Sequence, residues 1–424
     1  MSVLDSLPRP PGWQADRFDR HFDKVKRVGH AEEPPLSVFL GAGVVPRDSR
    51  EDNHNRLGAD LAKYQLVQPG DLVFNRLRTW QGGFGASAHR GIVSPAYIVG
   101  SPRPSVDSRF VHFLMLSSPY LAELTRVSKF MPPSQFDILW EDLRTLSLLV
   151  PPLPTQKAIA DFLDRKTAAI DELIAKKQRL LDLLAEKRAA LINQAVTKGL
   201  DPSVPVKDTG IPWIGEIPAH WHTRKLRYIA AKLQGRLIVQ PHLYFSDDGV
   251  PIVFGYNIKD GEIDEQGLSK VSFEADAAHP HARARAGDLY TVRLGMPGMT
   301  AVVPPSLDGC HFASIMWVHQ HERADSHWLC HAMNSAVVQG QIDAANYGAT
   351  LSQFNIAEAV DWVLPFPPKE EQQAIACFLS ARLDTFSTSR RSIEQQTALL
   401  QEYRQALITA AVTGQLEITE EAAA

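Results

Sequence analysis

QKAIADFLDRKTAAIDELIAKKQRLLDLLAEKRAALINQAVT, residues 156–197, returns without a gap as QQAIACFLSARLDTFSTSRRSIEQQTALLQEYRQALITAAVT, residues 372–413. At an offset of 216, Gln156, Ala158, Ile159, Ala160, Phe162 and Leu163 meet Gln372, Ala374, Ile375, Ala376, Phe378 and Leu379. The far ends also agree, from Leu183-Leu184 against Leu399-Leu400 to Ala195-Val196-Thr197 against Ala411-Val412-Thr413, and 16 of the 42 positions are identical. A repeat of this kind sets the architecture before any local feature does.

Each copy reads as one long helix. Pro151, Pro152 and Pro154 precede the first and Pro365, Pro367 and Pro368 the second, where a missing N–H is tolerated. No proline or glycine interrupts either copy, and each stops at a glycine, Gly199 or Gly414, suited to a left-handed C-terminal cap. About 40 residues at 1.5 Å give a rod of roughly 60 Å, which needs a partner along its length. Leu163, Ile170, Leu184 and Leu191 recur by sevens, as do Leu379, Phe386, Ile393, Leu400 and Leu407. Such rows predict that the two copies pair with each other as an antiparallel coiled coil rather than serving as separate core helices. Lys177, aligned with Ile393, is the charged break in the row.

The rest of the chain hangs between these helices. The expected class is α+β: a mixed α/β domain over residues 1–150, a helical spacer over 151–200, a second mixed domain over 201–365, a second spacer over 366–415 and a tail over 416–424. Together they make a pseudo-two-fold internal repeat. Leu36 to Leu40, Asp71 to Phe74 and Ile92-Val93 read as strands and Phe110 to Ser117 as a helix. The second domain answers loosely, Ala286-Gly287-Asp288-Leu289 to Pro69-Gly70-Asp71-Leu72 and Gln353 to Ile356 to Gln135 to Ile138. Helices that stay alike while their domains differ imply one shared structural task and two different recognition tasks.

The 424 residues carry a net charge of −4, which divides as +2, +3, −6 and −3 over residues 1–150, 151–200, 201–365 and 366–424. A surface for phosphate must therefore be a local patch. Three scattered cysteines suit a reducing compartment, and no run of apolar residues is long enough for a membrane, so a cytoplasmic protein is expected. No phosphate loop or dinucleotide fingerprint occurs, and Gly41-Ala42-Gly43 reads as a turn. Ten of the fifteen histidines lie in the second domain, but His327 and His331 have no opposite pair at zinc-finger spacing. No catalytic residue, cofactor or metal is expected.

The informative loop runs from Asn75 to Gly83. Asn75, Arg76, Arg78, Thr79, Trp80 and Gln81, followed by two glycines, directly after a strand, are suited to phosphate contact and to bidentate reading of guanine or adenine. The ordinary alternative is a basic surface loop. Arg293 with Gly295 and Gly298 repeats the arrangement in the second domain, and Lys24, Lys26, Arg27, Arg236, Lys259, Arg283 and Arg285 are weaker basic candidates.

This layout resembles the specificity subunits of type I restriction-modification systems. The likeness rests on residues 151–164 and 184–192, on Gly210-Ile211-Pro212-Trp213-Ile214-Gly215-Glu216-Ile217-Pro218 with His220-Trp221, and on Asn75 to Ser87 with Gly91 to Tyr97. Thr155-Gln156 departs from the Glu-Gln usual there, which Glu371-Gln372 keeps. The resemblance implies a non-catalytic subunit with two target-recognition domains. Such a subunit binds double-stranded DNA and two methyltransferase subunits, and in some systems motor-nuclease subunits join. Two domains related by a helix pair would read two half-sites at a fixed spacing, with the helices as ruler. The competing reading is a two-domain coiled-coil scaffold that holds protein partners without reading DNA.

Overall fold

The computed structural model describes residues 4, 7, 9–49, 57–58, 60–131, 135–235, 241–345 and 353–418. The chain divides into two compact units, Met1–Gln178 with Glu394–Ala424 and Arg179–Ile393, and the divisions fall inside the two long helices.

In the first unit β1 (Phe22–Val25), β2 (Leu72–Phe74), β3 (Phe84–Ala86) and β4 (Ile98–Pro102) form an antiparallel sheet in the order β1-β4-β2-β3. The period of two sorts their side chains. Phe22, Leu72, Phe74, Phe84 and Ile98 join Phe18, Phe110 and Leu114 in the main core, while Val73 and Val99 join Leu36 and Val44 in a smaller one. Next comes α1 (Ser108–Leu116), whose first turn is capped by the Asp107 carboxylate accepting from the Arg109 and Phe110 N–H groups. After a hairpin of β5 (Lys129–Met131) and β6 (Gln135–Asp137), strand Ser147–Val150 pairs with Gln14–Arg17 and delivers the chain through Pro151-Pro152 into α2 (Leu153–Lys198).

The second unit uses the same plan. Its sheet, β7 (Lys232–Gln234), β8 (Leu289–Val292), β9 (Thr300–Val302) and β10 (Ile315–His319), has the order β7-β10-β8-β9, the same permutation as in the first unit. Helix α3 (Ser326–Met333) is capped by Asp325. Strand His222–Lys225 pairs with Val363–Phe366, which leads through Pro367-Pro368 into α4 (Lys369–Val412). One expected correspondence shifts by two residues. Buried Ile138 answers buried Phe354, not Ile356, and the short helix Trp140–Leu143 answers Ile356–Ala359, so the offset of 216 extends back into the domains.

α2 and α4 pair, as the heptads predict. Within the first unit Ile159, Ala160 and Leu163 share a core with Ile408, Ala411 and Val412. Farther along, Asp171 accepts from Arg404 and Lys177 donates to Gln396, so the segments run antiparallel. Within the second unit Ile192, Ala195 and Val196 meet Ile375, Ala376, Leu379 and Leu383. Leu163, Ile170, Leu379 and Ile393 are buried, and Leu184, Leu191, Phe386, Leu400 and Leu407 are half-buried. The interleaved row three or four residues away is more polar, with Thr167 and Arg188 on α2 and Arg390, Thr397 and Arg404 on α4. Both helices end at glycines in the left-handed region, Gly199 at φ +72° and Gly414 at +71°.

Each helix is stitched to its domain by a buried amide. Gln156 accepts from the Asp107 N–H at 2.8 Å and donates to the carbonyls of Pro151 at 2.8 Å and Ser105 at 3.4 Å. Gln372 makes the same set with Asp325, Pro367 and Arg323 at 2.8, 2.9 and 3.3 Å. Both residues are at most 1% exposed, so an apolar replacement leaves buried backbone groups unpaired.

Candidate nucleic-acid interface

The loop that follows β2 is anchored at the opposite end of the strand by a buried carboxylate. Gly70, at φ +92°, turns the chain so that Asp71 accepts from the Gln68 N–H at 2.8 Å and from Arg27 at 2.5 Å. Gly287, at +91°, sets Asp288 to accept from the N–H groups of Arg285 and Gln320 and from the Trp317 indole at 2.9 Å before β8. Arg27 is thereby held in an internal ion pair. Arg283 is likewise held, at 2.6 Å by Asp276, which also bonds buried His311.

Beyond β2 the backbone closes on itself. The Asn75 N–H donates to the Gly83 carbonyl at 2.9 Å and the Gly83 N–H to the Arg78 carbonyl at 2.9 Å. A Cβ on Gly83 would stand 2.6 Å from that of Arg78, which is why glycine is needed there. Thr79 is buried, its hydroxyl bonded to the Asn75 carbonyl, and shapes the loop from inside. Arg76 grips Asp137 with two bonds at 2.9 and 2.5 Å, and the Trp80 ring packs on Phe136 at 5.0 Å. The loop and the β5–β6 hairpin therefore form one body. Arg78 and Gln81 bond each other at 2.9 Å on the exposed side, a paired guanidinium and amide that face solvent.

A cleft of about 460 Å³ lies beneath, lined by Asn75, Arg76, Tyr64, Tyr97, Asp137 and Arg47 among others. Burial and the neighbouring Tyr64 push the Tyr97 hydroxyl above its usual range, and its oxygen accepts from the Asn75 amide nitrogen at 3.4 Å. The hairpin is the part that reading the sequence missed. Its sequence signals are the Pro132-Pro133-Ser134 run after the exposed Phe130 and Met131 and the likeness of residues 135–138 to 353–356.

In the second unit the loop after β8 is less basic. The Val292 N–H donates to Met299 and the Gly298 N–H to Val292, which closes a turn with Leu294 and Met296 exposed. Arg293 is half-buried and reaches the Phe354 carbonyl at 3.4 Å. Lys259 lies apart in an exposed pair with Asp264, and Lys24 and Lys26 are exposed on and just after β1. Arg236 is outside the described residues. Among the described residues no group of three or more His, Cys, Asp or Glu is placed to hold a metal, and no helix is long and apolar enough to cross a membrane.

No protein-family model matches the chain. It is 24% identical over 285 residues to the type I restriction enzyme EcoBI specificity subunit of Escherichia coli, a stretch covering 65% of this chain and 59% of that protein's length. In fold it is similar to a solved chain described under complex assembly and conformational transition of the type I R-M system. The TM-score there is 0.71 at 16% identity, covering 96% of this chain and all of the other. The HsdS subunit of Thermoanaerobacter tengcongensis superposes with a TM-score of 0.50 at 14% identity, covering 98% of this chain and all of that one.

Proposed function

We propose, from the chain's membership of the family of type I restriction-modification specificity subunits, that it chooses the DNA sequence on which such a complex acts and catalyses nothing itself. Each domain reads one half of a bipartite site. The observation that carries this reading is the repeated sheet, which ends equivalent strands, β2 and β8, in loops of the same placement and different chemistry. A shared scaffold with divergent tips is what two distinct half-sites require.

In the first domain Arg78, Trp80 and Gln81 do the reading, since a guanidinium pairs with guanine and an amide with adenine in the major groove. Arg76, Thr79 and Asn75 hold the loop in shape. In the second domain the loop at Arg293 takes that part, with Leu294 and Met296 suited to thymine methyl groups. Lys24, Lys26 and Lys259 meet phosphates and fix register without selecting sequence.

Two methyltransferase subunits dock on apolar side chains that the helices leave exposed, Leu173, Leu180 and Leu183 on α2 and Leu399 and Tyr403 on α4. Motor-nuclease subunits join that complex where a system has them. These cytoplasmic partners contribute most of the sequence-independent phosphate contact, as a chain of net charge −4 requires.

The test is a map of methylated sites in cells that carry the chain with its partner subunits. Arg78→Ala with Gln81→Ala relaxes or weakens one half of the site, at about 1–3 kcal/mol for each bidentate base pairing removed. Arg293→Ala affects the other half. An unchanged site, or equal change in both halves, removes these loops from base reading.

A further inference from the structure

Arg188 and Arg404 are equivalent residues of the repeat, but their surroundings differ. In the first unit Asp171 binds Arg404 with two bonds at 2.9 and 3.1 Å. The residue equivalent to Asp171 in the second unit is Ser387. Arg188 is left with one hydrogen bond among the described residues, at 2.8 Å to the carbonyl of Asp260, and with no carboxylate partner. That carbonyl is presented by a tight turn, with Asp260 at φ +54° and Gly261 at +88°, while the Asp260 carboxylate is taken by Arg390.

Arg188 faces a cavity of about 380 Å³ within the second unit. Its wall includes His331, whose Nε2 is buried without a hydrogen-bond partner among the described residues, together with Asn334, His327, Ser380 and Ser387. The Arg188 and Asn334 side chains converge there, each within 4 Å of where a Cβ on Gly261 would lie. A half-buried guanidinium that has no carboxylate partner, where its repeat equivalent Arg404 holds Asp171 with two bonds, leaves a place for an anion.

We propose that this cavity binds a small oxyanion, a carboxylate or a phosphate, seated on Arg188 as the Asp171 carboxylate is seated on Arg404. Asp260, Glu262, Glu265 and Asp384 also line the cavity, so only a small anion that seats directly on Arg188 is held there, and the site is separate from the DNA-reading loops. Its occupation does not depend on the proposed function.

The full-length chain is tested by thermal unfolding and isothermal titration with sodium phosphate and with sodium acetate, against sodium chloride at matched ionic strength near neutral pH. Binding to the native state raises the unfolding midpoint. A response to phosphate alone identifies a phosphate site, and a response to both anions identifies a site that also accepts a carboxylate, free or on a partner protein. Arg188→Gln weakens binding by at least about tenfold, the loss of a charge-assisted pair. Ser387→Asp supplies the carboxylate internally, so its midpoint in chloride rises and its response to the anions disappears. Arg404→Gln lowers the midpoint but retains the response. If Arg188→Gln does not fold, Ser387→Asp decides alone. No response to either anion, or an unchanged response in Ser387→Asp, overturns the proposal.

Discussion

Gln156 and Gln372 make the same three hydrogen bonds, whereas the ion pairs one to four turns farther along the helices are not shared. In the first unit Arg109 of α1 bonds Asp161 and Asp164 of α2 at 2.7 and 2.8 Å. Their equivalents in the second unit are His327, Cys377 and Ser380, which cannot form that network. There the fastening lies at the helix start, where Glu371 accepts from the Trp221 indole at 2.9 Å and contacts the His220 ring at 2.7 Å. Thr155 stands in that position in the first unit and has no carboxylate to offer. What is kept is the buried amide, because backbone groups left unpaired in the interior are costly. What varies is exposed charge, where solvent replaces a missing partner at little cost. Each domain is therefore rooted on its helix by one common device and one private one.

The common device and the helix core should behave alike in both units. Leu163 and Leu379 are equivalent and fully buried, so Leu163→Ala and Leu379→Ala should each cost about 2–5 kcal/mol in denaturant unfolding. A large cost in only one would break the equivalence. Gln156→Leu and Gln372→Leu should follow at about 1–3 kcal/mol each, for the backbone groups left unpaired. If either change proved neutral, the amide would be dispensable and the stitched root would be wrong.

A third test uses acid. Burial, and then Arg404, depress the His112 imidazole to about 4, and burial, and then Arg188, depress His331 to about 4. Both therefore bind protons more readily unfolded than folded. Their contribution to stability is complete above the unfolded value of about 6.5 and is lost as the pH falls toward 4. His112→Phe and His331→Phe should each flatten the fall of the unfolding midpoint between pH 6.5 and 4. Curves that stay as steep as the parent would show that other groups dominate. A flatter curve for only one would mark the second difference between the units.

Much of the candidate interface could be read along the chain, and much of its working could not. The loop from Asn75 to Gly83 stood out because arginines, an amide, an aromatic and two glycines follow a strand directly. Nothing local distinguished Arg78, which faces solvent beside Gln81, from Arg76, which is bound to a carboxylate 61 residues away. Arg27 looked like a neighbour of Lys26 in a basic run, yet its partner Asp71 is 44 residues distant. Charge and residue type are properties of a position, whereas availability for a ligand depends on what the fold brings against it.

The sequence by itself determined the repeat, the two long helices, their glycine ends and their pairing. These follow from a period of seven, from proline and glycine chemistry and from one fixed offset, all of which act over short stretches or by direct comparison. Only the tertiary structure decided that the same sheet permutation underlies two domains so different in sequence, and that Gln156 and Gln372 root them. It alone placed Arg404 against a carboxylate and left its equivalent Arg188 without one. Hydrogen-bond partners and cavities are set by residues tens of positions apart, so identical side chains in equivalent places acquire different roles from their surroundings.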